Sequence, residues 1–154
     1  MKQAASQIVD TLLGASEYEP MVLREETAVV PFLPERLVRL VQRGLAMCEL
    51  ESLRQALGLP IEQVASMVGM SKATFHRRQR EGKLTTDESD KVVRVARLLG
   101  HANAVFGSKE AGREWLTHPQ HGLGGAMPLK YAETEVGARE VENLLGRIEY
   151  GVYS

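Results

Sequence analysis

The sequence predicts an all-α fold: two helical units joined by one long helix. Three observations carry that expectation. Leu, Val and Ala recur at helical spacing through most of residues 35–150, the period of helices with one buried face. Glycine, proline and capping Ser or Thr fall between these runs rather than inside them. Aromatic residues are only 5% of the chain, so the core is aliphatic and suits helices packed on helices.

In chain order, residues 1–34 form an arm. Ile8, Leu12 and Leu13 fit a short amphipathic helix ended by Gly14. Pro20, Pro31 and Pro34, with Glu17, Glu19, Glu25 and Glu26 among them, predict an irregular or partly extended segment. Val29 and Val30 are open to docking on the domain or on a second subunit. Leu37, Leu40, Val41 and Leu45 then predict a helix over residues 35–47, and Leu50, Leu53, Leu57 and Leu59 continue the apolar pattern until Gly58 and Pro60 end it. Cys48 reads as core on its spacing.

Residues 59–80 form the most distinctive stretch and read as a helix-turn-helix. Pro60 suits a helix start, where its missing N–H has no partner to lose. Ile61, Val64, Ala65 and Val68 give one buried face, with small Ala65 where a second helix crosses closely. Gly69 supplies the positive φ of a tight turn. Ser71 caps the second helix, in which Phe75 alone is large and apolar and fixes the inward direction. Ala73, His76, Arg77 and Arg80 then point outward, with Lys72 at the edge. A small, basic, hydrogen-bonding face beside a helix N-terminus suits phosphates and base edges in a DNA major groove. The candidate DNA-binding residues are Ser71, Lys72, Thr74, His76, Arg77 and Arg80. Arg78 breaks the pattern. It lies one turn after Phe75, where an aliphatic residue is usual, and its stem is expected to pack while its guanidinium reaches solvent or phosphate.

Gly82 is the expected C-cap, and Leu84 packs back on the core. Thr85 or Thr86 starts the long helix, with Asp87, Glu88 and Asp90 at its positive end. Val92, Val93, Ala96, Leu99, Ala102, Val105 and Phe106 carry it to Gly107, a length of about 30 Å. Ser108 caps a short helix through Ala111, Trp115 and Leu116, with Trp115 anchoring the C-terminal core. Residues 117–128, rich in Gly, Pro and His, break all periodicity. Pro128-Leu129-Lys130-Tyr131 opens a brief helical turn. Thr134 caps a last helix whose inner stripe reads as Val136, Val141, Leu144, Leu145 and Ile148.

Charge is distributed unevenly along a chain of formal net charge −1. From residue 71 to residue 100 there are eight basic residues against four acidic ones, which places a candidate nucleic-acid surface mid-chain and leaves the acidic surplus to the ends. A lone cysteine, Cys48, excludes an intrachain disulfide and a cysteine-based zinc site. No apolar run approaches the roughly 20 residues of a membrane span and no signal peptide opens the chain, so a cytoplasmic protein is expected. No enzyme is expected either. His101, His118 and His121 lack a carboxylate or cysteine at ligand spacing, Leu123-Gly124-Gly125 has no Lys-Ser/Thr pair after it, and no Ser occupies a nucleophile elbow. Neither a cofactor nor a metal is expected.

A resemblance to a known family begins at Arg80-Glu81-Gly82-Lys83-Leu84-Thr85-Thr86-Asp87-Glu88-Ser89-Asp90-Lys91. It continues in order through Val105-Phe106-Gly107, Trp115-Leu116-Thr117-His118-Pro119, Leu123-Gly124-Gly125, Pro128-Leu129, Thr134-Glu135-Val136-Gly137-Ala138 and Val141-Glu142-Asn143-Leu144-Leu145-Gly146-Arg147-Ile148-Glu149-Tyr150-Gly151-Val152. Over residues 35–154 the chain resembles the Xre/MbcA/ParS-type antitoxins, which join an Xre-like helix-turn-helix to a C-terminal toxin-binding domain. Thr117-His118-Pro119-Gln120 departs slightly from the family's usual Thr-Pro-Asn. The arm (residues 1–34) carries no match; beyond it the resemblance implies a DNA-binding and dimerisation domain (35–84), a connecting helix (85–107) and a toxin-binding domain (102–154). It further implies a homodimer that binds operator DNA in its own promoter and neutralises a cognate toxin. In the largest branch that toxin has a RES domain, is fold-related to ADP-ribosyltransferases and destroys NAD⁺; the antitoxin's C-terminal region blocks its active-site entrance. Arg147, Glu149, Tyr150, Gly151, Val152, Tyr153 and Ser154 are the corresponding candidates, a mixed-charge, aromatic tail whose Tyr and Arg residues suit interface anchoring and whose carboxylate suits a cationic pocket. The alternative is a stand-alone helix-turn-helix regulator or a plasmid-partition centromere-binding protein.

Overall fold

The computed structural model describes residues 7–14, 22–25, 28–31 and 34–151. Among them the elements run α1 (Gln7–Gly14), β1 (Val22–Glu25), β2 (Ala28–Pro31), α2 (Pro34–Arg43), α3 (Met47–Leu57), α4 (Ile61–Met67), α5 (Lys72–Glu81), α6 (Thr86–Phe106), α7 (Lys109–Thr117), a 3-10 turn (His121–Leu123), α8 (Pro128–Tyr131) and α9 (Glu135–Glu149). Helices make the fold, as the periodicity predicts. The arm adds a two-stranded antiparallel hairpin in which Val22 faces Pro31 and Glu25 faces Ala28. The expected docking of Val29 and Val30 lies outside the described residues, because their side chains are not described.

Helix α6 is the centre of the core. Val92, Val93, Val95, Ala96, Leu98, Leu99 and Ala102 are buried along it, and α1, α2, α3, α7 and α9 all pack against it. Its start is fixed by a capping box. The Thr85 hydroxyl accepts the Glu88 N–H at 3.2 Å, and the Glu88 carboxylate accepts the Thr85 N–H at 3.0 Å. Two glycines set how closely its neighbours approach. A Cβ on Gly100 would run into the Leu12 carbonyl of α1, and one on Gly112 of α7 would meet the backbone N of Asn103 at 2.7 Å and its Cα at 2.9 Å.

The first helix of the domain is shorter than the sequence predicts. It ends at Arg43, and Gly44 turns the chain at φ 87°. Leu45 and Ala46 then run beside the exit of α5. The Leu84 N–H donates to the Leu45 carbonyl at 2.8 Å, and the Met47 N–H donates to the Gly82 carbonyl at 3.0 Å. Buried Ser89 completes the stitch: its hydroxyl accepts the Leu45 N–H at 2.8 Å and donates to the Thr85 carbonyl at 2.6 Å.

This break resets the helical phase, and so Cys48 is only half-buried while its neighbour Glu49 is buried at 1% exposure. The Glu49 carboxylate accepts the N–H groups of Ile8 at 3.3 Å and Val9 at 3.0 Å. These are first-turn donors with no partner inside α1. Burial pushes the Glu49 carboxyl up and the two N–H donors oppose that rise.

Two further expectations are corrected. Leu116, fully buried, is the core residue of α7; Trp115 is half-buried and meets the Phe106 ring at 5.5 Å. In α9, Val141, Leu144 and Leu145 are buried as expected, with Ile148 partly buried beside them. Val136 is 75% exposed. Its five-residue separation from Val141 places it well round the helix from the inner stripe.

Because Gly112 sits on backbone atoms that cannot swing aside, Gly112→Ala is expected to cost about 1–3 kcal/mol and lower Tm by several degrees. Thermal melts followed by circular dichroism check this; an unchanged Tm contradicts the close seating of α7 on α6.

Candidate nucleic-acid and partner-binding faces

The helix-turn-helix forms as the sequence predicts. Val64, Ala65 and Val68 are buried on α4. Gly69 turns at φ 77°, and the Met70 N–H closes onto the Ala65 carbonyl at 2.8 Å. Ser71 starts α5 by accepting the Thr74 N–H at 3.2 Å, and its own hydroxyl donates to the Thr74 hydroxyl at 3.0 Å. That bond leaves the Thr74 proton available to an outside acceptor.

Ser71, Lys72, Ala73, His76, Arg77 and Arg80 are exposed, and Thr74 is half-buried. The structure therefore brings the six candidate DNA-binding residues together on one helix. Among the described residues, Lys72, Arg77 and Arg80 form no ion pair, so their charges are not neutralised within the domain. His76 meets the edge of Phe75, ring centroids 5.8 Å apart.

Helix α5 itself has no buried residue, and Phe75 is only half-buried. What fixes α5 is Arg78. Its Nε donates to both Glu88 carboxylate oxygens, at 2.6 and 3.1 Å, and a terminal nitrogen donates to Glu81 at 3.0 Å. The Arg78 and Glu88 side chains are 13% and 8% exposed. The expectation that the guanidinium reaches solvent or phosphate is corrected: two carboxylates hold it inside the domain. Glu88 in turn is part of the α6 capping box, so one carboxylate ties the outward helix to the central one. Sequence reasoning recognised Glu88 as an N-terminal acid of α6 and missed this second role. Burial pushes its carboxyl up. The Thr85 N–H, the Arg78 guanidinium and the Thr85 hydroxyl outweigh that effect and hold it below the ordinary carboxylate range.

At the other end, α9 stops at Tyr150 and Gly151, with Gly151 at φ 70°. Arg147 and Gly151 are exposed, and Tyr150 is 77% exposed. Glu149 is exposed as well, its carboxylate 3.3 Å from His101 Nε2 on α6. Val152, Tyr153 and Ser154 lie outside the described residues. His118 Nδ1 meets the Glu114 carbonyl at 2.8 Å. Among the described residues no cluster of three His, Cys, Asp or Glu groups could hold a metal ion, and no helix is long and apolar enough to cross a membrane.

Comparison with known proteins matches the two halves of the chain to two domains. An antitoxin Xre-like helix-turn-helix domain matches residues 35–97, and an antitoxin Xre/MbcA/ParS C-terminal toxin-binding domain matches residues 101–151. The chain is 32% identical over 120 residues to an Antitoxin Xre of Yersinia enterocolitica, covering 77% of this chain and 81% of that protein. An Antitoxin Xre of Photorhabdus laumondii is 38% identical over 93 residues, covering 59% and 63% of the two chains. One from Pseudomonas putida is 30% identical over 115 residues, covering 75% and 64%.

The lowered Glu88 carboxyl gives a pH signature. Its ion pair stabilises the fold above the unfolded carboxylate range, about pH 4.3, and that contribution is lost as pH falls through the lower folded value. Glu49, raised by burial, acts in the opposite sense, since its contribution is lost as pH rises through its folded value. Removing Glu88 therefore isolates the acid limb. In melts from about pH 6 to pH 3, Glu88→Gln is expected to lose less stability on acidification than the unaltered chain. Parallel curves contradict the assignment.

Proposed function

This chain belongs to the Xre antitoxin family, and from that premise we propose that it is the antitoxin of a type II toxin–antitoxin pair, acting by binding and not by catalysis. It captures a cognate toxin through its C-terminal domain and binds operator DNA through α5, repressing transcription of its own gene. The observation that carries the reading is the presence of two distinct faces tied to α6: α5, with Lys72, Arg77 and Arg80 outside any ion pair among the described residues, held near its start by Arg78–Glu88, and the end of α9, which meets it at His101.

On DNA, Ser71, Lys72, Thr74, His76, Arg77 and Arg80 are the contacting residues, with lysine and arginine taking phosphates or guanine edges and the hydroxyls positioning the helix. The protein works as a homodimer, since a two-fold pair of such helices reads a two-fold operator. On the toxin side the contacting residues are Arg147, Tyr150 and Gly151 with Val152, Tyr153 and Ser154, which block the active-site entrance. Glu149 supports them by fixing the helix end on His101. The partner is a RES-domain, NAD⁺-degrading toxin in the cytoplasm, a reading that rests on the family resemblance.

Arg77→Ala is expected to weaken binding to a DNA fragment from the chain's own promoter by about 1–3 kcal/mol if Arg77 reads a base edge; an unchanged mobility shift at fixed salt removes Arg77 from the interface. Deleting residues 151–154 is expected to leave that DNA binding intact and to reduce protection of cells expressing the toxin. Equal protection by the truncated chain contradicts the tail's role. The toxin's class is tested by expressing the adjacent reading frame alone, with loss of cellular NAD⁺ expected and unchanged NAD⁺ excluding it.

A further inference from the structure

The exit of α5 runs beside a second basic element. Helix α5 ends at Glu81, Gly82 turns the chain at φ 73°, and Lys83 follows. An isolated antiparallel bridge pairs Lys83 with Ala46, just after α2. A Cβ on Gly44 would meet the Lys83 side chain at 3.1 Å, so Arg43, the last residue of α2, adjoins Lys83. Arg39 lies one turn back on α2, about 40° from Arg43 round the axis and on the side away from buried Leu37. Arg39, Arg43 and Lys83 are all exposed, and among the described residues none is in an ion pair. With Arg77 and Arg80 they make one run of uncompensated positive charge from α5 round to α2. Of the acids close by, Glu81 is held by Arg78 and Asp87 by Lys91 at 3.1 Å; Glu35 is the single acid of α2. The formal net charge of the chain is −1, so this run is not part of a general basic excess. Like charges set together repel, and an anion relieves that cost.

We propose that Arg39, Arg43 and Lys83 form a phosphate-binding ridge that grips the DNA backbone bordering the groove entered by α5. This rests on the DNA-binding reading above and adds a contact outside the helix-turn-helix itself. A helix with its side chains is about 10–12 Å across and a major groove about 12 Å wide. A helix that fills the groove therefore brings the chain leaving it, and whatever lies beside that chain, against the sugar–phosphate wall. Lys83 is that chain, and the end of α2 is what lies beside it. The ligand is the phosphodiester, met by long cationic side chains that stand outside the reading helix. Such contacts set register and add affinity for any duplex, and they leave the choice of sequence to α5. An acidic protein surface is the other possible occupant. Continuity with Arg77 and Arg80, on the candidate DNA face, favours the nucleic acid.

The test measures binding of the full-length chain to its promoter fragment and to an unrelated duplex across a salt series. Arg39→Gln, Arg43→Gln and Lys83→Gln are each expected to lower the salt slope by about one, and affinity for both duplexes by about five- to tenfold at about 0.1 M salt. The triple variant is expected to lower the slope by about three, with Tm and the ratio of the two affinities unchanged. Arg43→Lys keeps the charge and is expected to keep the slope. An unchanged slope in the triple variant overturns the ridge and leaves α5 as the DNA face; if that variant also fails to protect cells from the toxin, the ridge is a protein-binding surface. A reduced ratio of the two affinities overturns it too, since a phosphate contact carries no sequence information. A slope lost equally in Arg43→Lys and Arg43→Gln shows a structural role and overturns it. Failure of the unaltered chain to bind its promoter fragment removes the operator reading itself, and the ridge with it.

Discussion

The Arg78–Glu88 ion pair is the contact on which the geometry of the candidate DNA face depends. Helix α5 has an outward side rich in charge and an inward side with too little apolar surface to hold it, since none of its residues is buried. Hydrophobic burial alone therefore does not fix its position. Arg78 supplies a planar, multi-donor group whose Nε meets both oxygens of one carboxylate, which restrains orientation as well as distance. Glu88 is already restrained by its role at the start of α6. An isolated pair at this depth would gain little against its desolvation. Here the carboxylate is satisfied from two sides, and Arg78 is satisfied by Glu81 as well.

The same economy runs through the rest of the molecule. Helix α6 receives α1 across Gly100, and α7 across Gly112, at distances where a side chain would collide with backbone. It also receives α9, whose end is fastened by the His101–Glu149 contact. Both candidate faces are thus tied to one helix. The arm joins the same core through Glu49, a buried carboxylate that completes the first turn of α1. In that site polar burial is compensated by backbone donors that would otherwise have no partner.

Much of this was legible in the sequence, and the reason is locality. The turn at Gly69, the caps at Ser71, Thr85, Ser108 and Thr134, and the stop at Gly107 all depend on residues within three or four positions of each other. What escaped depends on phase or on distance. Gly44 interrupts a run that looks continuous; beyond it Leu50, Leu53 and Leu57 are buried as expected, but Cys48 is half-buried and its neighbour Glu49 is buried in its place. Val136 is apolar and near an apolar stripe, yet its spacing puts it outside. Arg78 was visibly out of pattern, but its partner lies ten residues away across the turn at Gly82. For the candidate DNA face, exposure and shared direction were readable because helical geometry gives them. For the C-terminal face, the contact of Glu149 with His101 required knowing where α6 lies.

Arg78 is held by Glu88, so no contact from its guanidinium to DNA is expected. A double-mutant cycle with Arg78→Met, Glu88→Gln and the pair, measured as promoter-fragment affinity across a salt series, tests it most directly. Each single change is expected to weaken binding, the double variant to be little worse than either single one, and the salt slope to stay unchanged. Additive losses, with a slope reduced by about one in every variant lacking Arg78, would show instead that its guanidinium sits on a phosphate.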